Sequence, residues 1–150
     1  MIEVKTFESM ENKEYWLGQI KKSDWGAGQF LYELLSENRL KETCGEKTEV
    51  LMVVKENELL AFCTYAEMDD VQPTDLTPWV GFVYTFPEYR GNRYAGKLLA
   101  HAEELAKADS KEYVYISTNH VGLYEKYGYA FYEVQKDIEG EDTRVYRKKL

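Results

Sequence analysis

Apolar and polar positions change period several times along the chain, and each change marks an element. Ile2, Val4 and Phe7 predict a short edge strand over residues 2–7. From Lys13 to about Ser36 the spacing becomes helical, with Tyr15, Trp16 and Ile20 and then Phe30, Leu31, Leu34 and Leu35. Gly26 and Gly28 interrupt that pattern, so two helices are expected, broken near Ser23–Gly28. Trp16 and Phe30 read as core. Trp25 and Tyr32 flank the break and fit either core or a stacking pocket. Residues 36–48 are polar and predict a loop. Val50 to Val54 is an unbroken apolar run, as in a strand buried on both faces. Glu56-Asn57-Glu58 turns the chain, and Leu59–Ala66 returns as the second arm of a hairpin.

After a loop from Asp69 to Pro78, Trp79–Phe86 is a third apolar strand, stopped by Pro87. Tyr94–Ala108 is the clearest helix. Ala95, Leu98, Leu99, Ala102, Leu105 and Ala106 share one face, and Lys97, Glu103, Glu104 and Lys107 the other. Tyr113–Ile116 predicts a strand. Val121–Tyr127 predicts a short helix closed by Gly128, a residue suited to a left-handed cap. Tyr129–Lys136 and Thr143–Lys148 are two last strands around a turn at Gly140. The order β-α-α-β-β-β-α-β-α-β-β is mixed α/β. Its strand–helix–strand crossover in the second half implies one parallel pair.

The 150 residues, 17.6 kDa, fit one domain over residues 1–150. Lys and Arg total 19 against 27 Asp and Glu, a net charge of −8. That balance disfavours nucleic acid and anionic membrane surfaces as partners and mildly favours a cationic one. No apolar run is long enough to span a bilayer, and the N-terminus carries no targeting pattern. Cys44 and Cys63 form no CxxC or metal spacing, so they read as reduced thiols in a cytoplasmic protein with no metal site.

Chemistry concentrates between Trp79 and Leu99: a buried strand, a Pro-broken turn, a Gly/Arg loop and a helix start. Helix N-termini present unpaired N–H groups and a positive dipole end, and small residues let a phosphate approach them. Gly91, Ala95 and Gly96 supply small positions. Arg90, Arg93 and Lys97 reverse the local charge. The spacing is neither GxGxxG nor GxxxxGK[ST].

The stretch from Pro87 to Gly96 resembles the acetyl-CoA loop of the GNAT superfamily of N-acetyltransferases, Arg/Gln-x-x-Gly-x-Gly/Ala between strand and helix. Arg90 and Ala95 match, and Arg93 stands where the family usually has glycine. A right-handed backbone at Arg93 would leave its guanidinium free to meet a phosphate. Gly122-Leu-Tyr-Glu-Lys-Tyr-Gly-Tyr129 is similar to the family's second signature, Leu-Tyr-Glu-x-x-Gly-Phe. The likeness extends over nearly the whole chain. It implies an α/β (α+β) fold: a mixed, mostly antiparallel sheet of about seven strands, a splayed parallel pair and about four helices.

It also implies acetyl-CoA as co-substrate. Val83, Tyr84 and Thr85 would pair with the pantetheine arm. The loop Arg90, Gly91, Asn92, Arg93, Tyr94, Ala95, Gly96 and Lys97 would hold the pyrophosphate. Tyr124 would stand at the thioester sulfur as general acid, since a phenol can protonate a departing thiolate. The family often places a CoA-contacting asparagine seven residues before that tyrosine. Ser117 occupies that position here, and Asn119 is the nearby candidate. Glu67, Asp69, Asp70 and Asp75 lie at a strand end and in the loop that borders the acceptor in such folds. Glu67, Asp75 and His120 are the candidate bases. No cysteine sits at a nucleophile position, which agrees with direct transfer in a ternary complex.

The reading is therefore an acetyl-CoA-dependent N-acetyltransferase acting on a primary amine of a small molecule or peptide. A cationic acceptor such as a polyamine, aminoglycoside or lysine suits the acidic balance. The alternatives are a CoA-binding sensor of the same fold without transferase activity and a CoA-independent interaction protein. The C-terminal strands could edge a homodimer, and a monomer is equally open.

Overall fold

The computed structural model describes residues 1–150. One seven-stranded sheet carries the fold. Its strands are β1 (Ile2–Thr6), β2 (Glu49–Lys55), β3 (Glu58–Ala66), β4 (Trp79–Thr85), β5 (Tyr113–Thr118), β6 (Ala130–Lys136) and β7 (Asp142–Lys149). The spatial order is β1-β2-β3-β4-β5-β7-β6. Every neighbouring pair is antiparallel except β4–β5. The helices are α1 (Lys13–Lys21), α2 (Gly26–Ser36), α3 (Leu40–Cys44) and α4 (Tyr94–Ala108). This is the mixed sheet with one parallel pair that the patterning implied.

The alternation along β2 shows why its apolar run is unbroken. Val50, Met52 and Val54 point into a core with Trp16, Ile20, Leu31 and Leu34 of α1 and α2. Leu51 and Val53 point the other way, into a core with Leu98, Leu99, Ala102 and Ala106 of α4. Side chains alternate between faces with period two, so a central strand covered on both sides has no solvent position to fill with polar residues. A third, small cluster of Val71, Trp79, Tyr115 and Val145 lies beneath the β3–β4 connection.

Three local expectations change. Phe7 leaves the first strand and begins a 3-10 turn, Phe7–Ser9, burying its ring under α1. The polar stretch after Ser36 contains α3, anchored by the buried Leu40 and Cys44. The segment after Val121 tightens only into a 3-10 turn, Tyr124–Tyr127, closed by Gly128 at φ +94°. Gly28 explains the α1–α2 break. A β-carbon there would lie 2.1 Å from the Ser23 hydroxyl, so only glycine lets α2 start so close to the end of α1.

Candidate functional site

The parallel pair is short. Trp79 pairs with Tyr115 and Val80 with Ile116, and no pairing follows. β4 continues to Thr85 and β5 to Thr118, so the two strands diverge into a fork. On its other side β4 stays paired with β3 through Ala61↔Thr85, but the register slips between Phe62 and Thr64. The slip is a bulge: Phe82 and Val83 oppose Cys63. Phe82 takes φ +52°, a conformation uncommon for a bulky side chain and concentrated at functional sites. The bulge turns β4 away from β5 and leaves its backbone beyond Val80 without a partner in that direction. Val83 faces the α4 core, and Tyr84 faces α1 and α2.

Past the fork, β4 runs into a 3-10 turn at Pro87–Tyr89 and then the loop into α4. Gly91 has φ +87° and open space where a β-carbon would be. Arg93 is the residue preceding α4 and is left-handed, φ +60° and ψ +32°. The right-handed expectation is therefore corrected: arginine adopts the backbone that glycine would supply. Its guanidinium lies over the Tyr127 ring, 5.1 Å from the centroid. Arg90 folds back, donating from Nε to the Thr85 carbonyl at 2.9 Å and lying over the Tyr84 ring. Asn92 donates from Nδ2 to the Tyr89 carbonyl. Tyr94 and Ala95 are half-buried, and Lys97 is exposed. The loop thus offers exposed cations and the N-terminus of a fifteen-residue helix.

The second signature meets the first through Tyr127. A β-carbon at Gly96 would lie 2.7 Å from Cε1 of that ring, so Gly96 and Arg93 together seat the 3-10 turn against the loop. Three residues earlier, Tyr124 is buried beside Cys63 of β3 and packs edge-on against Tyr129, 6.3 Å between centroids. Burial pushes its phenol well above the ordinary tyrosine range, so it keeps its proton at neutral pH. The hydroxyls of Tyr15, Tyr65, Tyr84, Tyr89 and Tyr129 are each donated to an acceptor in the chain, whereas that of Tyr124 is not.

The named carboxylates fall in different places. Glu67 is exposed, its carboxylate accepting from the Lys47 backbone N–H at 2.9 Å and packing on Gly45. Asp75 is exposed in the β3–β4 connection, and His120 is exposed after β5, its backbone N–H donating to the Thr118 hydroxyl. Asn119 is also exposed. Asp69 and Asp70 reach the fork, Asp69 against Gly81 of β4 and Asp70 beside the Ser117 hydroxyl of β5. A β-carbon at Gly81 would lie 2.1 Å from the Asp69 Oδ1. Burial, followed by the charge of Asp70, raises the Asp69 carboxyl to about 7. Gly81 was the signal available in the sequence: glycine inside an apolar strand marks a close approach.

Aromatic groups line the α1–α2 side. Phe30 is exposed rather than core and stands 6.2 Å from Phe82. Trp25 stacks on Tyr84, 5.6 Å between centroids and 9° from parallel, and the Tyr84 hydroxyl donates to Asp24. Tyr32 is half-buried beneath Lys21. Both cysteines are free and buried; burial pushes the Cys44 thiol up to about 12. No group of three or more His, Cys, Asp or Glu is placed to hold a metal, and no helix is long and apolar enough to cross a membrane.

A mixed sheet forked at one parallel pair, with a small-residue turn leading from the fork into a helix, defines an acyltransferase-type fold. Residues 14–129 match the profile of the acetyltransferase (GNAT) family, and the chain belongs to it. Solved structures agree in fold. A GNAT-family protein from Desulfovibrio desulfuricans superposes with TM-score 0.71 at 14% identity, covering 99% of each chain. Aminoglycoside 6'-acetyltransferase type Ii gives 0.69 at 14% identity, covering 99% of this chain and 96% of that one. A GNAT family acetyltransferase from Elizabethkingia anophelis, solved with acetyl-CoA bound, gives 0.67 at 15% identity over 99% and 98%. Comparison with curated proteins gives no match.

Proposed function

We propose that the protein is a cytoplasmic, acetyl-CoA-dependent N-acetyltransferase that moves an acetyl group directly to a primary amine of a small molecule or peptide. The observation that carries this reading is the fork: β4 and β5 part beyond Val80 at the bulge that strains Phe82, and Tyr124 packs in the core below. The residues present fit the cofactor. The β4 backbone around Val83–Thr85, which β5 does not pair, would offer ladder partners to an amide-bearing arm, with Arg90 giving up its hold on the Thr85 carbonyl where the arm needs it. The loop from Arg90 to Lys97 offers N–H groups, small positions and cations to a pyrophosphate.

Acetyl-CoA supplies an activated thioester. The chain's part is to hold it, exclude water and manage charge. A backbone N–H freed at the bulge would stabilise the negative charge that grows on the carbonyl oxygen, and a dry site would strengthen it. The Tyr124 hydroxyl, carried on a buried ring and kept protonated, would supply a proton to the departing sulfur. The acidic surface and the aromatic wall of Trp25, Phe30 and Phe82 suit a cationic acceptor with an apolar stem. The relative named for aminoglycosides lends that class support.

The test is incubation of the purified chain with acetyl-CoA and a panel of a polyamine, an aminoglycoside, a lysine peptide and an amino alcohol. Mass spectrometry and thiol release are read together. An acetylated amine formed in step with released thiol supports the reading. Tight acetyl-CoA binding without turnover of any acceptor would favour the sensor instead.

A further inference from the structure

A cavity of about 560 Å³, the size of small-molecule sites, opens between α1, the β2–β3 turn, the end of β4 and the 3-10 turn at Pro87–Tyr89. None of its lining comes from β5, from α4 or from the Tyr124 turn. It is therefore separate from the place where a thioester would meet Tyr124. Tyr15, Tyr84, Phe86 and Tyr89 give it aromatic walls.

Its charge is one-sided. Asp24, Glu58 and Glu88 line it against a single cation, Lys22. None of the three acids enters an ion pair within the chain. The Tyr84 hydroxyl donates to Asp24, and the Tyr89 hydroxyl donates to Glu58 at 2.8 Å. These bonds hold two carboxylates at the wall and leave their charge uncompensated. The Tyr15 hydroxyl donates to the Asn57 carbonyl and ties α1 to the hairpin turn. Carboxylates beside ring faces suit an organic cation: the acids accept its N–H groups, the rings attract its charge, and their apolar area covers its stem. Acids on three separate elements suit a cation charged at both ends.

Tyr84 joins this cavity to the fork. Its ring lines the cavity, and its backbone lies in the β4 stretch that β5 leaves unpaired. Arg90 lies over the same ring, 5.6 Å from the centroid, and donates from Nε to the Thr85 carbonyl at 2.9 Å. A second cation against Tyr84 competes for the ring and repels the guanidinium. Release of Arg90 frees the Thr85 carbonyl, which is the group an amide-bearing arm needs.

We propose that this cavity is an effector site for an organic diammonium cation, and that filling it tightens cofactor binding by releasing Arg90 from Thr85. The coupling rests on the acetyl-transfer reading, and the cation site does not. Linkage makes the effect reciprocal: the cofactor must tighten the cation by the same factor.

The experiment titrates the purified chain with hexane-1,6-diammonium, with hexane-1,6-diol as neutral control, by calorimetry and NMR. The diammonium should bind, moving the Leu59 methyl signals and the Tyr15 and Tyr89 ring signals, and the diol should not. Glu58 and Glu88 are exposed, and the Glu58→Gln/Glu88→Gln variant keeps an acceptor for Tyr89. It should weaken the diammonium at least tenfold and leave CoA affinity unchanged when no diammonium is present. CoA, which carries no acetyl group to transfer, should bind wild type about fivefold tighter in saturating diammonium, and the double variant should lose that gain. Shifts confined to Phe30 and Phe82 at the fork, or equal binding by the double variant, overturn the site. CoA affinity unchanged or weakened by the diammonium overturns the coupling. If CoA does not bind at all, the acetyl-transfer reading fails, and the diammonium titration still decides the cavity.

Discussion

The Asp69 carboxylate lies so close on Gly81 that a β-carbon there would fall 2.1 Å from Oδ1 and 2.7 Å from Cγ. A loop residue and a strand residue therefore define one contact, and any side chain at 81 must move the acid. Gly81→Ala should lower kcat/KM for an amine acceptor by about 10²-fold, the cost of displacing groups at the fork by about an ångström. The acetyl-CoA dissociation constant should change far less, because the loop at Arg90–Lys97 is untouched. Steady-state kinetics beside calorimetry on the same variant checks this.

Burial of Asp69 makes stability depend on pH with a definite sign. Its folded pKa is raised from 3.8 to about 7, so the folded chain binds the proton more tightly than the unfolded one. Stability from this group is intact below the unfolded value and falls as pH rises from about 4 to about 7. Asp69→Asn removes the penalty. At pH 8 it should be more stable than wild type by up to about 4 kcal/mol, and at pH 4 it should not be. Urea unfolding at the two pH values reads the difference.

Tyr124→Phe keeps the packing against Tyr129 and removes only the hydroxyl. The expected result is a fall in kcat of roughly 10- to 100-fold with acetyl-CoA binding preserved. Because burial raises the phenol, no limb of the wild-type pH profile below about pH 10 should belong to Tyr124. A stopped assay across pH 6–10 tests both statements.

Arg93 spends conformational energy to do the work of a glycine. A left-handed backbone costs a non-glycine residue about 1–2 kcal/mol, and the exposed stack on Tyr127 returns about 0.5–1 kcal/mol. Arg93→Gly should therefore leave stability within about 1 kcal/mol and keep acetyl-CoA affinity or tighten it. Arg93→Val should weaken binding by roughly tenfold, since a β-branched residue resists that backbone. Calorimetric titration of both variants separates loop geometry from charge.

Much of the fold was legible because it is written in local signals. The alternation in β2, the apolar face of α4 and the glycine closing Tyr124–Tyr127 are each set by residues near in sequence. The loop and tyrosine signatures were legible for the same reason. Asp69 was visible only as one of four acids in a short stretch. Its place against Gly81 depends on the β3–β4 pairing, and strand register is not readable from either segment alone. Phe30 misled because helical spacing marks an inward face without saying whether that face meets core or cleft; here it meets Phe82 at the fork. The left-handed Arg93 was hidden because composition favours glycine there, and only the closed loop shows arginine taking the same path.

One measurement reaches the fork and its loop directly as an acetyl-CoA site: calorimetric titration of the purified wild-type chain with acetyl-CoA, with dephospho-CoA in parallel. The expected result is one site per chain with a roughly micromolar dissociation constant for acetyl-CoA. Absence of binding up to about millimolar cofactor would contradict it, leaving a family fold whose loop no longer holds the ligand.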